Sequence, residues 1–80
     1  MTSKEFIKEV REHLRNHKGE WYNHLRLVDG HEIGLKFYGR SIQILRINGV
    51  DHGGLWDIPT QREFVKYLEG ALISAGISID

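Results

Sequence analysis

Residues 21–47 read WYNHLRLVDGHEIGLKFYGRSIQILRI. In this run apolar and polar side chains alternate with a period of two, β-branched and aromatic types are frequent, and glycine-containing pairs interrupt the pattern at 29–30 and 39–40. The alternation predicts three antiparallel strands over 21–27, 31–38 and 41–47, joined as a meander. Their register depends on loop length at Asp29-Gly30. A two-residue loop sets Leu25 opposite Gly34 and Leu27 opposite Glu32, mixing apolar and charged residues on one face. A three-residue loop with Gly30 left-handed sets Leu25 opposite Ile33, Trp21 opposite Phe37 and Arg26 opposite Glu32, so the parity of the pattern favours the longer loop.

Gly39-Arg40 fits a two-residue turn that pairs Phe37 with Ile42 and Leu35 with Ile44. The face expected to be buried is then Trp21, Leu25, Leu27, Ile33, Leu35, Phe37, Ile42 and Ile44. The opposite face carries Tyr22, His24, Arg26, Glu32, Gly34, Lys36, Tyr38, Gln43, Leu45 and Ile47. Asn48-Gly49 is a further turn signal, and the sequence leaves room for a short fourth strand near 55–58.

On either side of this segment the period changes. Over 2–18, Phe6, Ile7, Val10 and Leu14 recur at helical spacing, and Thr2 with Glu5 fits a capping box. After Pro59, Thr60 with Glu63 repeats the capping signal, Phe64, Val65, Leu68, Ala71 and Leu72 form an apolar stripe, and Gly76 marks a stop. The expected fold is therefore α+β, of order α-β-β-β-α, a single domain with both helices on one face of the sheet and the other face open.

Eighty residues, 40% of them apolar, allow one core and exclude a multidomain enzyme. Without cysteine the chain has no disulfide, thiolate nucleophile or thiolate metal site, so packing or association must hold it together. No apolar run approaches a membrane span and the charged start is unlike a secretory leader, which points to the cytoplasm. Eleven basic against eleven acidic residues give zero formal charge, which argues against a strong nucleic-acid binder and favours self-association.

Glu9, His13 and His17 follow one another at four-residue spacing on the first helix, a spacing at which two histidines could share a metal. No third ligand is identifiable in the sequence, and His17 in the last turn also suits the helix dipole. His31 and His52 stand at turns, where a histidine reaches a ligand without disturbing the core, and His31 is the candidate general acid or base. Neither glycine-rich segment has the spacing of a phosphate loop, so no nucleotide cofactor is expected. On the open face Tyr22, Tyr38, Arg26 and Lys36 combine rings with positive charge, as single-stranded RNA sites do. Leu45 and Ile47 there point instead to burial against another protein.

The α-β-β-β-α order resembles that of double-stranded RNA-binding domains and of HicA-type mRNA interferase toxins over most of the chain. Where the former carry a lysine cluster at the second helix, this chain has Pro59-Thr60-Gln61-Arg62. Gly30-His31 stands in a place comparable to the toxin family's histidine, and the resemblance implies RNA binding or cleavage through His31.

The reading that follows is a non-enzymatic interaction module, an accessory or regulatory protein of the kind phages and mobile elements carry. It would bind a protein partner or a second copy through Tyr22, His24, Arg26, Lys36, Tyr38, Gln43, Leu45 and Ile47. The alternative is a small RNA-binding or RNA-cleaving protein that uses His31. No cofactor is implied.

Overall fold

The computed structural model describes residues 1–79. The elements are α1 (Ser3–Asn16), β1 (Tyr22–Val28), β2 (His31–Tyr38), β3 (Ser41–Ile47), β4 (Val50–Asp51) and α2 (Gln61–Ser74), with the strands in the order β1-β2-β3-β4 in one antiparallel sheet. The fold is α+β, with the helices packed against the sheet.

Local signals fix the helix ends. Thr2 caps α1 through the full reciprocal box, its hydroxyl accepting from Glu5 N–H and the Glu5 carboxylate from Thr2 N–H. The Thr60 hydroxyl accepts from Glu63 N–H at the start of α2. At the other end Gly76, at φ 84°, turns the chain so that Gly76 N–H donates to Ile73 O and Ile77 N–H to Leu72 O, the Schellman pair that closes a helix while burying Ile77.

The β1–β2 register differs from the parity reading. Asp29 (φ 49°) and Gly30 (φ 82°) form a two-residue loop with both residues left-handed, and Tyr22 pairs with Phe37, His24 with Leu35 and Leu25 with Gly34. This turn twists in the same sense as the strands it joins, which longer alternatives do not match as well. It is also anchored from α1: Asp29 N–H donates to Met1 O, and the Asp29 carboxylate accepts from Ser3 N–H. The inward residues of β1 are accordingly Tyr22 and Val28, while Trp21, Leu25 and Leu27 face out.

A second difference lies in β3. Phe37 pairs with Ile42 as expected, but Lys36 pairs with Ile44 and Leu35 with Leu45, so Gln43 is the extra residue of a bulge. One inserted residue reverses the parity of everything beyond it. Ile42, Leu45 and Ile47 all turn inward as a result, and Ile44 turns out. The fourth strand exists but lies at Val50–Asp51, after the Asn48-Gly49 turn, while Leu55 makes only an isolated bridge to Ile42. Gly54 is needed beside that bridge, because a Cβ there would stand 2.6 Å from Ile42 O.

These choices assemble one core from both helices and three strands. Phe6, Val10, Ile33, Leu35, Phe37, Ile42, Leu45, Phe64, Leu68 and Leu72 are fully buried in it. Tyr22 stacks on Phe37 with ring centroids 4.9 Å apart, and Phe37 meets Phe64 edge-on at 4.7 Å. Gln61 Nε2 donates to Leu14 O at 3.0 Å and ties the start of α2 to the end of α1.

Candidate functional site

The helices cover one face of the sheet, and the uncovered face presents Leu25 and Leu27 from β1 with Trp21 just before it, Glu32, Gly34, Lys36 and Tyr38 from β2, and Ile44 and Arg46 from β3. Four of these apolar or aromatic residues are largely open to solvent: Leu25 is 66% exposed, Leu27 61%, Trp21 49% and Tyr38 45%. They do not stand singly. Trp21 and Tyr38 have ring centroids 5.1 Å apart, and the Lys36 ammonium lies 5.2 Å from the Trp21 centroid. The Leu25 side chain lies across Gly34, the one position on β2 without a side chain to block it.

Of the residues expected on this face, Lys36 and Tyr38 are there, and Gln43 is exposed at the bulge. Tyr22, Leu45 and Ile47 are not: they are at most 2% exposed, as the shorter turn and the bulge place them under the helices. His24 and Arg26 are also on the helix side of β1. His24 is exposed at the rim with its ring 4.6 Å from that of Tyr22, and Arg26 reaches back to α1. Trp21, Leu25, Leu27 and Ile44, expected in the core, take their place outside. The signal that finds Trp21, Leu25 and Leu27 is the strength of Asp-Gly as a two-residue hairpin turn, whereas Ile44 turns out through the bulge at Gln43.

β1 is also a sheet edge. A two-residue turn makes Val28 and His31 a hydrogen-bonded pair, so along β1 the even-numbered residues bond to β2 and the odd-numbered ones direct N–H and C=O away from the sheet. Leu27 O confirms the sense, accepting from the Met1 amine at 2.9 Å. Asn23 and Leu25 point their backbone groups outward with no partner among the described residues. Edges are usually guarded by proline, an inward lysine or a bulge. β1 has none of these, and its one basic side chain, Arg26, is held elsewhere.

That hold is a polar clamp between α1 and β1. The Glu9 carboxylate accepts from Arg26 Nε at 3.0 Å and Nη2 at 3.2 Å, and from the Tyr22 hydroxyl at 2.5 Å. Burial works against the charged form of Glu9, but the bonds from Arg26 and Tyr22 outweigh it and keep its pKa below the usual carboxylate range. Burial, joined by the bond to Glu9, pushes the Tyr22 hydroxyl far above its ordinary range. A carboxylate whose folded pKa is depressed adds stability above its unfolded pKa and loses it as pH falls through the folded value. Because the pair is about one-third exposed, solvent screens it, and Glu9→Gln is expected to cost about 1 kcal/mol at pH 7 and less at pH 3, in the direction in which the carboxylate takes up its proton. Urea unfolding of both proteins at the two pH values checks this, and an undiminished difference at pH 3 contradicts it.

The histidines do not assemble into a metal centre: among the described residues no group of three or more His, Cys, Asp or Glu side chains is placed to hold an ion. His13 and His17 stack at 5.4 Å, with His13 Nε2 bonded to Glu20 O and His17 Nδ1 to the Glu20 carboxylate. His31 Nδ1 accepts from Asn48 Nδ2 at 2.8 Å, and no carboxylate is bonded to the ring among the described residues. His52 is half-buried, its carbonyl accepting weakly from the Tyr67 hydroxyl. No helix of the described residues is long and apolar enough to cross a membrane. In comparisons with known proteins, the chain matches no family model, no curated protein and no solved structure.

Proposed function

We propose that the chain is a non-enzymatic interaction module of the cytoplasm whose partner is a second copy of itself, joined through the β1 edge and the uncovered sheet face. The observation that carries this reading is an unguarded edge strand lying directly beside exposed Leu25 and Leu27.

Three features support a second copy as the occupant. Met1 occupies the edge at Leu27, which leaves Asn23 and Leu25 as the free outward residues. A two-fold axis beside His24 lets these two serve one another, Asn23 of each copy exchanging backbone hydrogen bonds with Leu25 of the other. The same register sets Trp21 of one copy across from Leu27 of the other, so the exposed apolar row becomes continuous on one side of an extended sheet. Zero formal charge opposes this approach little.

Sedimentation equilibrium tests the proposal. The wild-type protein is expected to be a reversible dimer, and Leu25→Arg to weaken it at least tenfold, which corresponds to about 1.4 kcal/mol. Because Leu25 faces solvent, the variant should keep its far-ultraviolet circular dichroism, and its melting temperature at concentrations where both proteins are monomeric. A wild-type protein that stays monomeric up to millimolar concentration overturns the proposal. Salt-sensitive binding of single-stranded RNA by such a monomer would favour instead the RNA reading, on Trp21, Tyr38, Lys36 and Arg46.

A further inference from the structure

The charges of α1 are sorted by stripe. Phe6, Ile7, Val10 and Leu14 face the core, Glu5 turns toward the cap, and Glu9 and Glu12 lie on the side of the β1 clamp, with Glu12 flanking the cations at four residues from Lys8 and three from Arg15. Lys4, Lys8, Arg11 and Arg15 follow at spacings of three and four along the side next to α2. Across from them α2 presents Arg62, Lys66 and Glu69. Together they line two adjoining depressions between the helices that share Arg11 and Glu69. Among the described residues, six cationic side chains therefore border this groove against one carboxylate. Among the described residues none of the six has a carboxylate within 4.0 Å, as the ion pairs formed are His17–Glu20 and Arg26–Glu9.

We infer that this inter-helical groove binds the phosphodiester backbone of a nucleic-acid duplex. Like charges here outnumber the one carboxylate, Glu69, and none is ion-paired among the described residues, which costs electrostatic energy that a polyanion relieves. The dimensions suit one strand of a duplex. From Lys4 to Arg15 the helix rises about 16 Å at 1.5 Å per residue, long enough to follow a few successive phosphates of one strand before that strand winds away around the duplex. The walls are fixed, since both helices share the core and Gln61 bonds to Leu14 O.

Other polyanions fit less well. An amphipathic helix on a lipid surface inserts its apolar face, and the apolar face of α1 is already buried in the core. A single strand would need exposed rings for its bases, and no aromatic side chain lines the groove: Phe6 and Phe64 are fully buried, and the half-buried Tyr67 donates to His52 O away from it. The inference is independent of self-association, which uses the opposite side of the molecule.

Fluorescence anisotropy with a 20-base-pair DNA duplex and an RNA duplex of the same sequence tests it. The wild-type protein is expected to bind at 50 mM salt, with a log–log salt slope of about −4, the signature of four to five neutralised phosphates at about 0.9 each. Arg11→Glu combined with Arg62→Glu should weaken binding at least tenfold at unchanged melting temperature, and Lys8→Glu combined with Lys66→Glu should do the same if the first pair lowers stability. Equal binding of both duplexes supports contact with the backbone alone, and preference for RNA supports added contact with 2′-hydroxyls. Absence of binding to either duplex at 50 mM salt overturns the inference, as does binding indifferent to both groove variants. Tighter binding to phosphatidylglycerol vesicles, lost in the same variants, would overturn it in favour of a lipid surface.

Discussion

Leu45→Arg is expected to abolish the cooperative folding transition, whereas Leu25→Arg, the same substitution two strands away, leaves it in place. Leu45 is fully buried at the centre of β3 opposite Leu35. Removing a buried leucine costs about 2–5 kcal/mol, and a guanidinium in that position has no carboxylate partner to meet. A chain of this length has about 4–12 kcal/mol of stability to lose. Leu25 is two-thirds exposed, and a long polar side chain there extends into water. The pair of variants separates the two registers open to the sequence. With a three-residue β1–β2 loop and no bulge, Leu25 would be the intolerant position and Leu45 the tolerant one. Thermal melts followed by circular dichroism decide, and a folded Leu45→Arg protein beside an unfolded Leu25→Arg protein would refute the sheet described here.

Leu68→Ala should destabilise the domain by about 2–5 kcal/mol, the range for truncating a leucine in a well-packed site. Leu68 lies in the middle of α2, fully buried in the cluster that also holds Phe64 and Leu72. Both helix ends are tied down, by Thr60 at the start and by the Gly76 turn at the finish, so α2 has little freedom to shift and refill the space. Guanidinium unfolding gives the number directly. A loss under about 1 kcal/mol would mean that the site collapses around the smaller side chain.

The two helices were legible because their evidence is local. Thr2 with Glu5, Thr60 with Glu63, and Gly76 each report on a few neighbouring backbone groups, and the structure uses all three. The three long strands were equally plain from alternation and glycine-containing turns. What alternation could not give is which face is which, because parity is a sum over the chain and one residue reverses it. At Asp29-Gly30 the apolar count of β1 argued for the longer loop, yet the matched twist of a two-residue turn and its anchorage by Met1 and Ser3 prevail. In β3 the bulge at Gln43 gathers Ile42, Leu45 and Ile47 inside. Leu45-Arg46-Ile47 carried that alternation, but only beyond the inserted residue.

Net charge is likewise a sum that says nothing of how the charges are distributed. The sum of zero, which argued against nucleic acid, conceals a sorting that appears only when α1 and α2 are set side by side. The stripe of Lys4, Lys8, Arg11 and Arg15 is readable from helical spacing alone. Its opposition to Arg62 and Lys66 depends on tertiary packing. The uncovered sheet face follows the same logic: a mixed aromatic, aliphatic and cationic surface was expected, and one is present, built largely from the side chains assigned to the other layer.

Amide hydrogen exchange at residue resolution, read as a function of protein concentration, addresses the β1 edge most directly. The amides of Asn23 and Leu25 are solvent-facing in one copy and hydrogen-bonded in the proposed pair, so their protection should rise with concentration while those of Leu35 and Leu45 stay constant. Fast exchange of both edge amides at every concentration would contradict the pairing.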